Sequence, residues 1–292
     1  MLKREKYTDM ERLRSYSSIF SRKVFSGIME YSDFTRLDTL LARYGFPQKN
    51  VLTYLDYIRY VYRVLAKHYR CEYVYKNEII NKLLLRGYGL KNSVAVNEFH
   101  VGRCIVDFAI FNGESKAFEI KTEYDSDRRL GNQLETYSKL FQKCYIVIPE
   151  SMCVNYESSL PENVGIVLMV VSTNSMNLLE YRPAVENDEI DPGILMRSLR
   201  TSEYKEIILS YYGSLPDVSC YEIFDKCLEL MYNIPGKALQ RLFNVQMKKR
   251  ISVTRKLKSY PSEIRQMCLS MNLDGKSVER LLVKLNSPII PV

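Results

Sequence analysis

The sequence contains no tryptophan and only two histidines, His68 and His100, which excludes a His-rich metal centre. The seven cysteines (Cys71, Cys104, Cys144, Cys153, Cys220, Cys227 and Cys268) are odd in number, scattered, and never spaced C-x-x-C. Neither a disulfide framework nor a structural zinc site is expected from them, and they read as small buried apolar thiols. Long hydrophobic runs are also missing. The longest, Ile166 to Val171, is far too short to span a bilayer, and no apolar stretch follows Met1-Leu2-Lys3-Arg4-Glu5-Lys6 as a secretory signal requires. These absences lead to the expectation of a soluble cytoplasmic protein with no membrane partner. There is no G-x-S-x-G, and Gly275-Lys276-Ser277 ends like a P-loop but has Ser270 where the first glycine is needed.

What is present is ordinary globular material: 292 residues, 46% hydrophobic and 26% charged, enough chain to bury a core. The net charge of +8 is unevenly placed. Residues 237–292 hold twelve Lys and Arg against three acids, so the preceding residues are close to neutral. A localised basic segment suits a polyanion, whose phosphates it would neutralise with release of counterions. Lys248, Lys249, Arg250, Arg255, Lys256 and Lys258 are the candidate nucleic-acid contacts, the alternative being a solvated helical face.

Apolar periodicity divides the chain into three parts with soft limits near 70 and 185. Residues 1–70 read as helical, with Leu52, Leu55, Ile58, Val61, Val64 and Leu65 at helix-like spacing and tyrosines (Tyr54, Tyr57, Tyr60, Tyr62) interleaved. Those tyrosines could pack within the chain or form the seam of a homodimer. Residues 71–185 read as a helix (Lys76 to Arg86), three strands (Ser93 to Phe99, Arg103 to Phe111, Lys116 to Thr122), a helix (Asp127 to Gln142), and strands at Cys144 to Ile148, Val164 to Val171 and Leu178 to Arg182. That order predicts a mixed α/β core and not an uninterrupted βαβ winding. Residues 186–292 return to helical periodicity.

The informative stretch is Val106-Asp107-Phe108 followed by Phe118-Glu119-Ile120-Lys121. Acids inside strongly apolar strands are costly unless something compensates them, and a hard divalent cation would. Glu119 and Lys121 are two apart and share a face of their strand. A two-residue loop at Asn112-Gly113 would pair residue 107 with 118 and send Asp107 and Glu119 to opposite faces. A three-residue loop, Asn112-Gly113-Glu114, pairs 107 with 119 and brings both carboxylates together with Lys121; this register is the one expected.

Asp107 with Glu119-Ile120-Lys121 resembles the D…E-x-K signature of the PD-(D/E)xK nuclease superfamily, in the same helix, three strands, helix, strand order. Glu119-Ile120-Lys121, Asp125-Ser126, Arg129-Leu130, Gln133-Leu134 and Tyr137 further resemble a bacterial branch of the superfamily with E-I-K-x-x-x-D-S and R-L-x-x-Q-L-x-x-Y motifs. The resemblance covers about residues 75–171. It departs from the family in having Val106 and not Pro before Asp107, and Arg103 four residues before Asp107 where relatives place Arg two before.

The resemblance implies a restriction-endonuclease-like mixed-sheet core flanked by N-terminal helices and a basic C-terminal helical region. It also implies a metal-dependent nuclease acting on DNA, in repair or in defence against foreign DNA. Asp107, Glu119, the Ile120 carbonyl and Glu78 would hold Mg²⁺ or Mn²⁺. Lys121 would orient the attacking water or neutralise phosphate charge, Gln133 would bind Lys121 or phosphate, and Tyr137 and Arg129 would stand behind them or at the phosphate. Asp125 and Asp127 read as helix-capping acids, and Glu98 as a weaker metal candidate. The competing expectation is a catalytically inactive protein of the same fold that binds nucleic acid or another protein.

Overall fold

The computed structural model describes residues 8–45, 52–89, 93–172, 176–250 and 253–289; the Met1–Lys6 segment lies outside them. Helices α1 (Asp9–Ser17), α2 (Arg22–Tyr31), α3 (Thr35–Tyr44), α4 (Tyr54–His68) and α5 (Glu72–Glu78) come first, and α5 runs on as a π-helix, Ile79–Tyr88. Strands β1 (Val94–Val101), β2 (Cys104–Phe111) and β3 (Ser115–Ile120) precede α6 (Leu130–Ser138). Then follow β4 (Lys143–Pro149), α7 (Cys153–Ser159), β5 (Gly165–Val171) and β6 (Met176–Arg182). The chain continues through α8 (Pro192–Ser198), α9 (Thr201–Tyr212), α10 (Ile223–Tyr232), α11 (Gly236–Lys249), α12 (Arg265–Ser270) and α13 (Gly275–Leu285). The protein is mixed α/β, and no helix among the described residues is long and apolar enough to cross a membrane.

The chain forms two compact units: residues 1–81 with 255–292, and residues 82–254. The division does not follow the expected limits at 70 and 185, because apolar periodicity identifies a helix without identifying what it packs against. In the first unit, α4 presents Tyr57, Ile58, Val61 and Leu65 to a buried interior. Thr53 caps the start of this helix through a reciprocal bond with Asp56. Tyr16 stands edge-on to Tyr57 with ring centroids 6.4 Å apart, and both are buried, so the tyrosine stripe is packed within its own unit. The returning C-terminal segment is held by polar bonds. Asn77 donates to the Ser262 carbonyl at 2.8 Å and accepts from the Gln266 amide at 3.0 Å, while Arg265 donates to the Leu257 and Lys258 carbonyls and to Asn81.

The second unit is built on a six-stranded sheet in sequence order β1 to β6. β1, β2 and β3 form an antiparallel meander, α6 and α7 carry the parallel crossovers to β4 and β5, and β6 returns antiparallel. Phe99, Phe111 and Phe141 gather around Phe243 of α11, with centroids 5.4–6.4 Å from it, and anchor the apolar core on one face of the sheet. Crossing that face, α11 also packs on α9. Residues 186–254 therefore complete the sheet unit.

Gly165 opens β5 opposite Tyr145, whose ring stacks on Phe118 at 5.2 Å. A Cβ at Gly165 would overlap the Tyr145 ring and come within 2.7 Å of the Ala184 amide nitrogen. Backbone lies on one side and a stacked ring on the other, so neither neighbour yields easily. Gly165→Ala is expected to lower the unfolding free energy by about 1–3 kcal/mol, the usual range for overpacking. Urea denaturation of the full chain measures this; an unchanged midpoint refutes the close-approach argument.

Candidate functional site

The β2–β3 hairpin pairs Phe111 with Ser115 and Phe108 with Phe118, so its loop is the three residues Asn112-Gly113-Glu114. Gly113 supplies the φ of +112° that this turn needs, and the Lys116 ammonium ties the turn by donating to Asn112 at 2.8 Å and Glu114 at 2.6 Å. Counting on in the same phase sets Asp107 opposite Glu119. The Asp107 carboxylate accepts from the Ile120 amide at 2.8 Å, next to Glu119 on β3. On the other side of Asp107, β1 is irregular. Glu98 adopts φ +55°, and the pairing steps from Asn97 with Phe108 to Phe99 with Val106.

Glu119 is 2% exposed and is held from three directions. Its Oε1 accepts from Gln133 at 2.7 Å and lies 3.1 Å from the Lys121 ammonium, while its Oε2 is 2.9 Å from the Tyr137 hydroxyl. Lys121 is itself 8% exposed, and its amide donates to Val147 on β4, which fixes the backbone just beyond β3. Gln133 and Tyr137 are one turn apart on α6 and face the strand together. Burial, and then the Glu119 carboxylate beside it, pushes the Tyr137 phenol far up, so it is a neutral donor. That donor has one proton and two acceptors, Glu119 Oε2 and the Ile105 carbonyl at 2.7 Å. Whichever receives the proton, the other oxygen keeps unused acceptor capacity.

The cluster offers hard oxygens suited to a small divalent cation: the Asp107 and Glu119 carboxylates, the Ile120 carbonyl, and the buried Gln133 Oε1, which has no hydrogen-bond partner. Among the described residues no group of three or more His, Cys, Asp or Glu is placed to hold a metal. A cation here would use two carboxylates and complete its shell with water, a pattern typical of Mg²⁺. These residues fit such an ion, although Glu119 is already neutralised by Lys121.

Glu78 belongs to the first unit, where it accepts from the Tyr62 hydroxyl at 2.7 Å and Asn81 at 3.1 Å. Arg129 is exposed at the start of α6. Helix α6 begins at Leu130 and not at Asp127, because residues 122–125 are folded into a turn in which Asp125 accepts from the Thr122 amide and hydroxyl, both at 2.8 Å. Asp127 caps no helix; its carboxylate takes the Tyr156 hydroxyl, a long-range pairing that local sequence signals do not carry.

The basic candidates are divided between the units. Lys248, Lys249 and Arg250 lie in the sheet unit, and Arg255, Lys256 and Lys258 in the other. Arg250 is committed internally: it makes two bonds of 2.7 and 2.8 Å to Glu203 and stands over the Phe99 ring. Lys249 pairs with Glu206 at 3.0 Å, whereas Lys248 is exposed.

The family model of bacteriophage P4 protein cII matches residues 66–271, well over half of the chain and the whole sheet unit. The chain belongs to the bacteriophage P4 protein cII family. Protein cII of Enterobacteria phage P4 is 26% identical over 144 residues, which cover 49% of this chain and 53% of that protein. This cII-family chain thus spans about half the length of the curated relative it matches. A protein of unknown function from Silicibacter pomeroyi is a further structural match, at 15% identity and a TM-score of 0.31, over 49% of this chain and 93% of that one.

Two outcomes follow from the bonding. Tyr137→Phe leaves either the Ile105 carbonyl or Glu119 short of a donor and is expected to lower stability by about 1–3 kcal/mol; calorimetry showing no loss would mean the hydroxyl is not needed. Arg250→Ala strands Glu203 and should lower stability by about 3–5 kcal/mol in urea melts. Burial raises the Glu203 pKa, but the bonds to Arg250 and to the Arg200 amide outweigh it, leaving the pKa below its ordinary 4.5. With a depressed folded-state pKa, the contribution is present above pH 4.5 and is lost as pH falls through the folded value. The gap between wild type and variant should therefore narrow in acid, and a gap independent of pH would refute the pairing.

Proposed function

We propose that the chain is a divalent-metal-dependent nuclease that hydrolyses phosphodiester bonds in DNA within the cytoplasm, in repair or in defence against foreign DNA. The observation that carries this reading is the pairing of Glu119 with Lys121, and of Asp107 with the Ile120 amide between them, at one end of a hairpin closed by a three-residue loop. Mg²⁺ or Mn²⁺ held there would supply an acidified water and polarise the scissile phosphate. Asp107 and Glu119, with the Ile120 carbonyl, supply the negative charge and hard oxygens for that ion. Once Glu119 is shared with a cation, the Lys121 ammonium is released from neutralising it and can turn to phosphate oxygen or the attacking water. Gln133 holds Glu119 in place, and its unpaired Oε1 can accept from a water in the site.

A second reading has its own support. Lys121, Gln133 and Tyr137 satisfy Glu119 without any ion, and this is what a fold retained for binding alone would show. A nicking assay separates the two. Supercoiled and linear DNA are incubated with the protein in Mg²⁺, Mn²⁺ or EDTA, beside Asp107→Asn and Lys121→Met. The nuclease reading expects cation-dependent cleavage that falls at least 100-fold in both variants. Metal-independent DNA binding with no cleavage, the same in wild type and variants, rejects it in favour of the binding module.

A further inference from the structure

A cavity of about 380 Å³ opens at the far end of the same hairpin, where Gly113 of the loop meets α11. Four residues of extended strand, roughly 13 Å, separate Asp107 from the end of β2, and Gly113 lies beyond that in the loop. The cavity is therefore distinct from the site above. Three exposed cations of α11, Lys237, Arg241 and Lys248, stand at intervals of four and seven along one helical stripe and border it. Glu186 and Asp188 border it as well; Asp188 pairs with Lys237 at 2.9 Å, and Glu186 accepts from Gln142 at 3.1 Å. The formal balance is therefore a single positive charge, suited to one phosphate carrying a single negative charge and ill suited to a polyphosphate.

The wall of the cavity carries a second, independent sign of a ligand. Asn244, also on α11, lines it and is 5% exposed. Its Nδ2 donates to Gln142 at 2.9 Å, but its Oδ1 is buried with no hydrogen-bond partner. A buried amide oxygen without a donor is costly in a native interior and calls for an explanation. Because Asn244 lines the cavity, a ligand N–H or O–H reaching that wall would satisfy the oxygen. The ligand thus needs an anionic phosphate at one end and a hydrogen-bond donor at the other, in a volume at the lower end of the range for small-molecule sites. A single nucleotide of a nucleic-acid strand has both, its exocyclic amine or sugar hydroxyl being the donor.

We infer that this cavity is a nucleotide-binding subsite that holds one phosphodiester-linked nucleotide, its phosphate against Arg241 and Lys248 and its base or sugar donor toward Asn244. The inference rests on the reading of the chain as a nucleic-acid-acting protein, and adds a gripping point at the opposite end of the hairpin that needs no metal. It also separates Arg241 and Lys248 from the rest of the basic tail as residues with a defined ligand.

The test measures binding of a fluorescently labelled oligonucleotide to the full chain in EDTA across a salt series. Wild type is compared with Arg241→Glu, Lys248→Glu and a control reversal elsewhere on the surface, Lys226→Glu. Both cavity variants should weaken binding at least tenfold and flatten the dependence of affinity on salt, while the control stays within about twofold. These are exposed positions, so folding is preserved, and thermal melts verify it. Cavity variants that bind like the control overturn the subsite. Asn244→Leu adds a second readout by NMR titration with deoxyadenosine monophosphate and with inorganic phosphate. Wild type should prefer the nucleotide, and loss of that preference in the variant supports the Asn244 contact; equal affinity for the two probes in wild type overturns it. Failure of the nuclease reading is distinguishable: a wild type that cuts nothing, yet loses binding only in the cavity variants, keeps the subsite and discards the nuclease.

Discussion

The second unit is arranged around one awkward group, the carboxylate of Glu119, buried at the end of a central strand. An ionised carboxylate cannot be taken out of water alone, so the surrounding elements supply its partners. Lys121 comes from the same strand, two residues on, and Gln133 and Tyr137 come from one face of the crossover helix. The position and rotation of α6 are consequently tied to β3 by charge-assisted hydrogen bonds as well as by the apolar contacts of Leu130 and Leu134. Asp107 adds a further constraint from the neighbouring strand by bonding the amide of Ile120. Strand, hairpin and helix thus meet where the polar groups are, and their apolar core lies farther along the sheet.

Helix α11 contributes to that core in a different way. Its inner face buries Leu239, Phe243 and Met247, while its outer stripe presents Lys237, Arg241 and Lys248. The basic excess of the C-terminal segment consequently does not act as one patch. Arg250 neutralises Glu203, Arg265 clamps backbone carbonyls, and Lys284 donates to the Met29 carbonyl. The cations that the fold leaves uncommitted are fewer than the count of twelve Lys and Arg suggests.

Much of this was legible in the residues. The apolar segments Arg103 to Phe111 and Lys116 to Thr122 located the strands, and Asn112-Gly113-Glu114 gave the hairpin register, because a single-residue slip would have separated the two acids. Glu119 and Lys121 were read from their strand and Gln133 and Tyr137 from the resemblance, and the four side chains do meet. Long-range pairing was not legible. Asp127 read as a helix cap, since local signals favour caps, but Tyr156 claims it from 29 residues away. Arg250 read as a surface cation, since its partner Glu203 lies 47 residues earlier. The return of residues 255–289 to the N-terminal helices depends on Asn77, whose amide is an ordinary polar residue in sequence and a buried connector in the fold. Glu78, next to it, was a metal candidate by the resemblance, and in its own unit it accepts from Tyr62.

The energetics bear on why the polar cluster is there at all. Replacing a buried ion pair by well-packed apolar residues of similar volume is often neutral or stabilising, so Glu119 and Lys121 are not what the sheet needs in order to fold. The Phe99, Phe111, Phe141 and Phe243 group and the aliphatic strands already supply a core. Nor is the cluster fully satisfied: one tyrosine proton serves two oxygens, and Gln133 Oε1 has no donor. A partly satisfied polar network costs more than an apolar one, and such a deficit is reasonable where a further group, a water or a cation, is to be received. The same accounting applies to Asn244 at the other end of the hairpin. Both unfilled acceptors lie on the face of the sheet covered by α6 and α11, and both lie beside charged side chains.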